Sequence, residues 1–438
     1  MIRKLFSSQL RINMFSGVAA TAVNTVVLAT AYPIYLHFLG YEKYGVWLVL
    51  ATVLSFAQLG NLGIGRAVTK LVAEEHGQGN IEGVQQYVMT AIVILIVAGA
   101  LILILILTFK AQIAGVFKLT RDNARMVLWL LPYIGCLSVY VLVVQALNAT
   151  LSGLGRMDLA NWTQSSGRIV AVATAGSLLY KGHGIESLLI GNTLSYVFIH
   201  VASLIFIWRT ARIRFVRIGN LSSRCCKRLL SFGLGLFGGS LMNMLLSPFN
   251  KLMLSRYADV SVIPVYEIAH NGSMQIRALI EAGLRALMPE VSRIGANLTS
   301  YAKERIAQIY RRAMKLVFLF GVPMYGGLLI LLTPLLKLWL RQRFVEGFPG
   351  VFRIMLVGTF LSLLGVPAYY TLLGLGIVRC AVTAHIILAA VSASIVLTVV
   401  FIWRSISVEA VSWAILTATA VTTLYLNRQN AQRVLKAG

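Results

Sequence analysis

Long stretches without a single charged residue recur along the chain, and they decide what solvent it can fold in. They run over 12–41, 44–65, 83–109, 126–155, 187–208, 229–250, 316–336, 354–378, 380–403 and 410–427. Nearly all exceed the ~18 apolar residues that mark a spanning-helix candidate, because ~20 residues at helical rise cross a bilayer's hydrocarbon core. Two more windows qualify once isolated charges are allowed: 159–180, around Arg168, and 260–284, with Glu267, Arg277 and Glu281. The expectation is an all-α polytopic membrane protein of about twelve transmembrane helices. The window 126–155 is long enough to tilt, kink or take in part of a loop. Composition agrees: 58% of residues are hydrophobic and 12% charged, against about 25% charged in soluble domains.

A net charge of +25 could suggest a nucleic-acid partner, but its distribution argues against one. With the N-terminus placed in the cytoplasm, the inside segments hold 24 of the 39 Lys and Arg residues and the outside segments 12. The remaining three, Arg168, Lys251 and Arg277, fall within spans. This two-to-one bias is the positive-inside pattern, and it puts both termini in the cytoplasm. The basic run "RTARIRFVRIGNLSSRCCKR" (209–228) then reads as a topology anchor beside anionic membrane lipid. The segment 110–125, with four basic residues, runs against the rule.

Several classes of chemistry find no support. There is no G-x-x-x-x-G-K-[ST] phosphate loop, and Arg3 and Lys4 precede an apolar segment too long for a cleavable signal. Cys136, Cys225, Cys226 and Cys380 lack metal-ligand spacing. No connecting segment is long enough to fold as a soluble catalytic domain. No cofactor is expected.

The two halves repeat each other weakly. Asn24 pairs with Asn243 and Arg66–Ala67 with Arg285–Ala286 at an offset of 219, while Pro33 pairs with Pro248 at 215. This predicts an N-terminal lobe over 1–215 and a C-terminal lobe over 216–438. Six spans per lobe is an even number, so both lobes share one orientation, as in transporters built from parallel repeats. Pro33 and Pro248 would bend their helices.

The segments "FSGVAATAVNTVVLATAYPIYLHFLGYEKYGVWLVL", "LGNLGIGRAVTKLVAEEHGQGN" and "LSGLGRMDLANW" resemble those of polysaccharide-lipid flippases. These bacterial inner-membrane proteins belong to the MATE-like (MOP) superfamily, with O-antigen translocases, lipid II flippases and multidrug/cation antiporters. The resemblance implies two six-helix lobes around a central cavity. It also implies an undecaprenyl-pyrophosphate-linked oligosaccharide as cargo for surface polysaccharide, with a polymerase and a chain-length regulator as possible partners. Lipid II flippases carry two further helices, for which this chain has no room.

Charge placed at mid-bilayer costs ~2.5–3.5 kcal/mol on insertion scales, so each instance needs a reason. The intramembrane cations Arg168, Lys251 and Arg277, with Arg66 and Arg285 at cytoplasmic helix ends, outnumber Glu267 and Glu281. A cavity of that sign suits a pyrophosphate, with Arg as planar clamp and Lys as point charge. Asn24, Asn243, Asn271 and Gln275 could meet sugar hydroxyls, as could Gln58, Asn61, Gln145, Asn148, Gln164, Asn192 and Asn250. Glu267, Glu281 and His270 are candidates for coupling to a proton or sodium gradient or to the membrane potential.

Each residue has a plainer reading. Arg277, Glu281 and Arg285 lie at i, i+4 and i+8 and could neutralise one another. His270 could be a packing histidine, Lys251 could snorkel outward, and Arg66 could be an anchor. The Asn residues could simply bridge helices. Arg156 and Asp158 fit a tight cytoplasmic turn, with Gly153 and Gly155 permitting it and Asp158 capping the next helix. A cation-coupled multidrug antiporter of the same superfamily would favour acids in its cavity. Here 12–41 contains no acid, and Asp122, Asp158 and Asp259 all fall in expected loops. A membrane glycosyltransferase would need a D-x-D metal site or a large external loop, and neither is present.

Overall fold

The computed structural model describes residues 8–61, 63–212, 222–284, 287–295 and 300–435, and these residues are almost entirely helical. Two compact units divide the chain, Met1–Leu241 and Met242–Gly438. The division falls inside a helix, whereas the sequence reading places it in the loop near 215.

In the N-terminal unit, α1 (Ser8–Ala57) runs through the first two apolar windows. It breaks at Gly40, whose φ of 69° and ψ of −179° are not helical. A 3-10 turn (Gln58–Asn61) leads to α2 (Ile64–Gly77), α3 (Ile81–Thr108) and the short α4 (Lys110–Val116). Then come α5 (Arg121–Gly153), α6 (Met157–Tyr180) and α7 (Glu186–Ala211). Capping side chains set several starts: Asn80 accepts from the Gly83 amide and Thr120 from the Asn123 amide. Glu82 and Asp122 stand in the first turns, where a negative charge faces the positive end of the helix dipole.

In the C-terminal unit, α8 (Ser223–Tyr257) continues from the first unit into the second. It is followed by α9 (Ile263–Leu284), α10 (Leu287–Gly295), α11 (Ser300–Leu340), α12 (Phe348–Gly374), α13 (Val378–Trp403) and α14 (Val408–Asn430). Ser407 caps α14 by accepting from the Ala410 amide.

Each of the twelve sequence windows lies mostly in one helix, with the two arms of α1 serving the first two. Among the described residues, eight helices are long and apolar enough to cross a membrane: α1, α3, α5, α7, α11, α12, α13 and α14. The windows in α6, α8 and α9 are the ones interrupted or flanked by Arg168, Lys251, Arg277 and the glutamates. With 41 residues, α11 is about 60 Å long, twice the hydrocarbon thickness. Its basic first turns, from Lys303 to Lys315, therefore extend past the apolar part.

Ile64, Val68, Leu71 and Val72 of α2 pack with Val84 and Val88 of α3 and Leu147 and Leu151 of α5. Cys225 and Leu229, from the first turns of α8, join the same cluster. In the C-terminal unit α12 packs on α14, α9 and α11, and a smaller cluster joins Ala368, Leu372, Cys380, Ala384 and Leu426.

The turn at 153–158 differs from expectation in two details. Gly155 does supply the left-handed backbone, with φ of 78°. Gly153 instead ends α5 at close approach, because a Cβ there would meet Val72 Cβ at 2.8 Å and the Thr69 carbonyl at 2.9 Å. Asp158 is not the cap of α6. It sits in the first turn and binds Arg156 at 3.0 Å, while its own amide donates to Asn13 Oδ1. The start of α6 is thus tied down by α1.

Candidate functional site

The densest charge within the spans lies on α9 and the part of α8 facing it. The two helices are joined by a short 3-10 turn (Val260–Val262), which Asp259 caps by accepting from the Ser261 amide at 2.7 Å. That turn sets the register. Asn250 donates to the Tyr266 hydroxyl at 3.2 Å, and the adjacent Lys251 Nζ lies 2.7 Å from Glu267 Oε2. Asn271, one turn along α9, donates to the other carboxylate oxygen at 3.0 Å. Lys251 is only 9% exposed at its side chain and Glu267 14%. Lys251 does not snorkel outward, because its counter-charge is beside it.

Two turns further along α9, Arg277 Nη2 meets Glu281 Oε2 at 3.2 Å. The Tyr370 hydroxyl of α12 donates to Glu281 Oε1 at 3.0 Å. The i, i+4 pairing expected from sequence is therefore present, and Arg285, the proposed third rung, lies outside the described residues. Arg277 Nε is buried without a hydrogen-bond partner among the described residues, and Nη1 has only the Met274 sulfur at 4.0 Å.

Arg277, Glu281 and His270 line a cavity of about 350 Å³ wholly within the C-terminal unit. The opposite walls come from α12, α13 and α14, with Thr359, Ser362, Tyr369, His385, Thr419 and Thr423. His270 also stacks on Tyr266, with ring centroids 5.5 Å apart and planes inclined by 8°. One imidazole thus touches both the cavity and the residue next to the buried pair.

The other expected residues are dispersed. Arg168 is exposed on α6 with no carboxylate partner among the described residues, and Arg66 is exposed on α2. Asn24 on α1 is half-buried, and its Oδ1 has no partner among the described residues. Asn243 belongs to α8, but its side chain is outside the description. Gln275 is half-buried on α9. Several amides bridge or brace helices: Asn61 donates to Gln145 at 2.7 Å, Asn148 to Thr163 at 3.2 Å, and Asn192 to the Leu188 carbonyl.

Sequence reasoning missed Tyr266, Tyr370, His385 and the hydroxyl wall. Tyr370 lies 89 residues from Glu281 in the chain, and no local spacing announces such a contact.

Comparison with known proteins places this geometry. A family model described as "Polysaccharide biosynthesis protein" matches residues 10–295. No curated protein sequence matches the chain. Among solved structures, an inward-facing multidrug-resistance MATE transporter of the MOP superfamily aligns with a TM-score of 0.73 at 14% identity, covering 98% of this chain and 95% of that one. A MOP superfamily transporter from Pyrococcus furiosus aligns with a TM-score of 0.67 at 16% identity, with coverages of 98% and 95%. A Vibrio cholerae MATE transporter aligns with a TM-score of 0.67 at 13% identity, with coverages of 98% and 97%. At such identities the likeness concerns the fold, which is that of MATE-like membrane transporters.

Proposed function

Because the chain belongs to the polysaccharide biosynthesis protein family, we propose that it is a flippase for undecaprenyl-pyrophosphate-linked oligosaccharide. It would move this cargo from the cytoplasmic to the outer leaflet of a bacterial inner membrane, with both of its own termini in the cytoplasm. The family match over residues 10–295 carries the reading, and the fold of an integral membrane transporter supports it. The charge within the spans supports it further. Three cations stand against two acids, and no Asp lies in an apolar window. An exporter of organic cations would need the opposite balance.

The ion pairs redistribute the roles. Lys251 and Arg277 each have a carboxylate, so a phosphate group would rely first on Arg168 and Arg66, which are exposed and have none among the described residues. Asn24, Asn271 and Gln275 would contribute to sugar recognition. A polymerase and a chain-length regulator would receive the product.

A deletion strain tests the reading. Lipid-linked oligosaccharide should accumulate on the cytoplasmic side, surface polysaccharide should disappear, and ethidium tolerance should stay unchanged. Arg168→Ala should reproduce the loss of polymer at normal protein level. Reduced ethidium tolerance with intact surface glycan would overturn the proposal in favour of a drug antiporter.

A further inference from the structure

The two carboxylates embedded in the spans of the C-terminal unit both carry a cation supplied by the chain itself. Glu281 is held by Arg277 and the Tyr370 hydroxyl. Glu267 is held by Lys251, and its surroundings are the more telling. Its second oxygen accepts from Asn271. The neighbouring Tyr266 hydroxyl is bonded by Asn250 and Ser247. Asn250 is fully buried, and its Oδ1 has no hydrogen-bond partner among the described residues.

A buried carboxylate, with an unpartnered amide oxygen and a tyrosine hydroxyl on the adjacent rung of the same hairpin, offers the oxygen chemistry that hard cations select. An alkali ion could neutralise Glu267 there. Instead Lys251 Nζ stands 2.7 Å from the carboxylate. An ammonium is a compact point charge with three donors, close in kind to a small monovalent cation. Its four-carbon stem, however, fixes it to α8.

We propose that Lys251 is a resident counter-ion: its ammonium fills a monovalent-cation pocket formed around Glu267, so the C-terminal unit works without sodium. Removing the side chain should turn that pocket into a binding site for a free alkali ion. The inference does not depend on the cargo.

Thermal unfolding of the purified full-length protein provides the test, with sodium replacing choline at constant ionic strength. The wild-type midpoint should be the same in sodium, potassium and choline. Lys251→Ala should be less stable in choline and recover with sodium in a saturable way. At a hundredfold excess over its dissociation constant the expected rise is roughly 3 °C. Methylammonium should also restore Lys251→Ala, and Lys251→Ala/Glu267→Gln should respond to neither ion. A sodium-specific rise in the wild type would overturn the proposal, as would a Lys251→Ala protein indifferent to every cation. If Lys251→Ala yields no folded protein, the wild-type comparison decides alone. Sodium-dependent stabilisation there refutes a resident counter-ion, and indifference upholds it. Loss of this inference would leave the flippase reading standing, because the deletion strain reads cargo and the unfolding assay reads only ions.

Discussion

Residues 153–155 and 374–376 both read Gly-Leu-Gly, and each triplet ends the fourth spanning helix of its half. In the N-terminal unit a Cβ on Gly153 would strike Val72 and the Thr69 carbonyl of α2. In the C-terminal unit a Cβ on Gly374 would strike Val291 and the Met288 carbonyl of α10. Gly155 and Gly376 then turn the chain with φ of 78° and 74°. The same corner packs against the same kind of short helix twice, and the element order around it repeats as well. What differs is the charge. The N-terminal unit keeps Arg66 and Arg168 exposed, whereas the C-terminal unit holds Lys251, Glu267, Arg277 and Glu281 in pairs within its helices. A duplicated scaffold thus carries two chemistries. One half exposes Arg66 and Arg168, which have no carboxylate partner among the described residues, and the other holds neutralised pairs, one of them lining a cavity.

Breaking the Lys251–Glu267 pair should have the largest effect. Lys251→Met leaves a buried carboxylate without compensation, which costs about 3–5 kcal/mol, while removing both charges is often near neutral. Lys251→Met/Glu267→Gln should therefore be more stable than either single variant in detergent unfolding. The exposed pairs of the N-terminal unit should not behave this way: Lys70–Glu74 and Arg228–Glu74 lie at the surface and should contribute under about 1 kcal/mol. Strictly additive effects at Lys251 and Glu267 would erase the contrast between the halves.

The matched corners come next. Gly153→Ala and Gly374→Ala each force a methyl to within 3 Å of backbone and side-chain atoms, and overpacking of this kind costs about 1–3 kcal/mol. The two losses should be similar, because the two corners are similar. If one variant is silent, the corners are alike in sequence only.

The helices were legible in the sequence because solvent dictates them. A chain that must bury its backbone polar groups in lipid has few alternatives to long apolar helices, and the windows recorded that directly. The Arg277–Glu281 pair was legible as well, since four residues along a helix define neighbours. Lys251 was not. Its partner sits across the α8–α9 hairpin, and only the length of the Val260–Val262 turn brings 250 and 251 opposite 266 and 267. Without that register, a lysine past a proline reads as one reaching for water. The cavity was equally hidden, since its walls are drawn from five helices spread over more than 170 residues. Gly153 was read as part of a turn, since a glycine needed for close approach looks the same in sequence as one needed for its backbone angle.

The smallest expected effect lies at the tip of α6, where the two corners differ in sequence. Ile377 and Arg379 follow the second Gly-Leu-Gly where Arg156 and Asp158 follow the first, so the Arg156–Asp158 pair has no counterpart there. Burial by itself would push the Asp158 carboxyl up, but the Arg156 guanidinium and backbone amides hold it below the ordinary carboxylate value. A carboxyl lowered in the folded state stabilises the fold above its unfolded value, and that contribution drains away as pH falls through the folded one. Asp158→Asn should therefore lower the unfolding midpoint by a constant amount at neutral pH and converge with the wild type only as the pH falls below the ordinary Asp value of about 4. Arg379→Ala should leave the shape of the same profile unchanged, since among the described residues no carboxylate pairs with it. Parallel curves for Asp158→Asn and the wild type would mean that the ion pair closing the first corner contributes no more than its missing equivalent in the second.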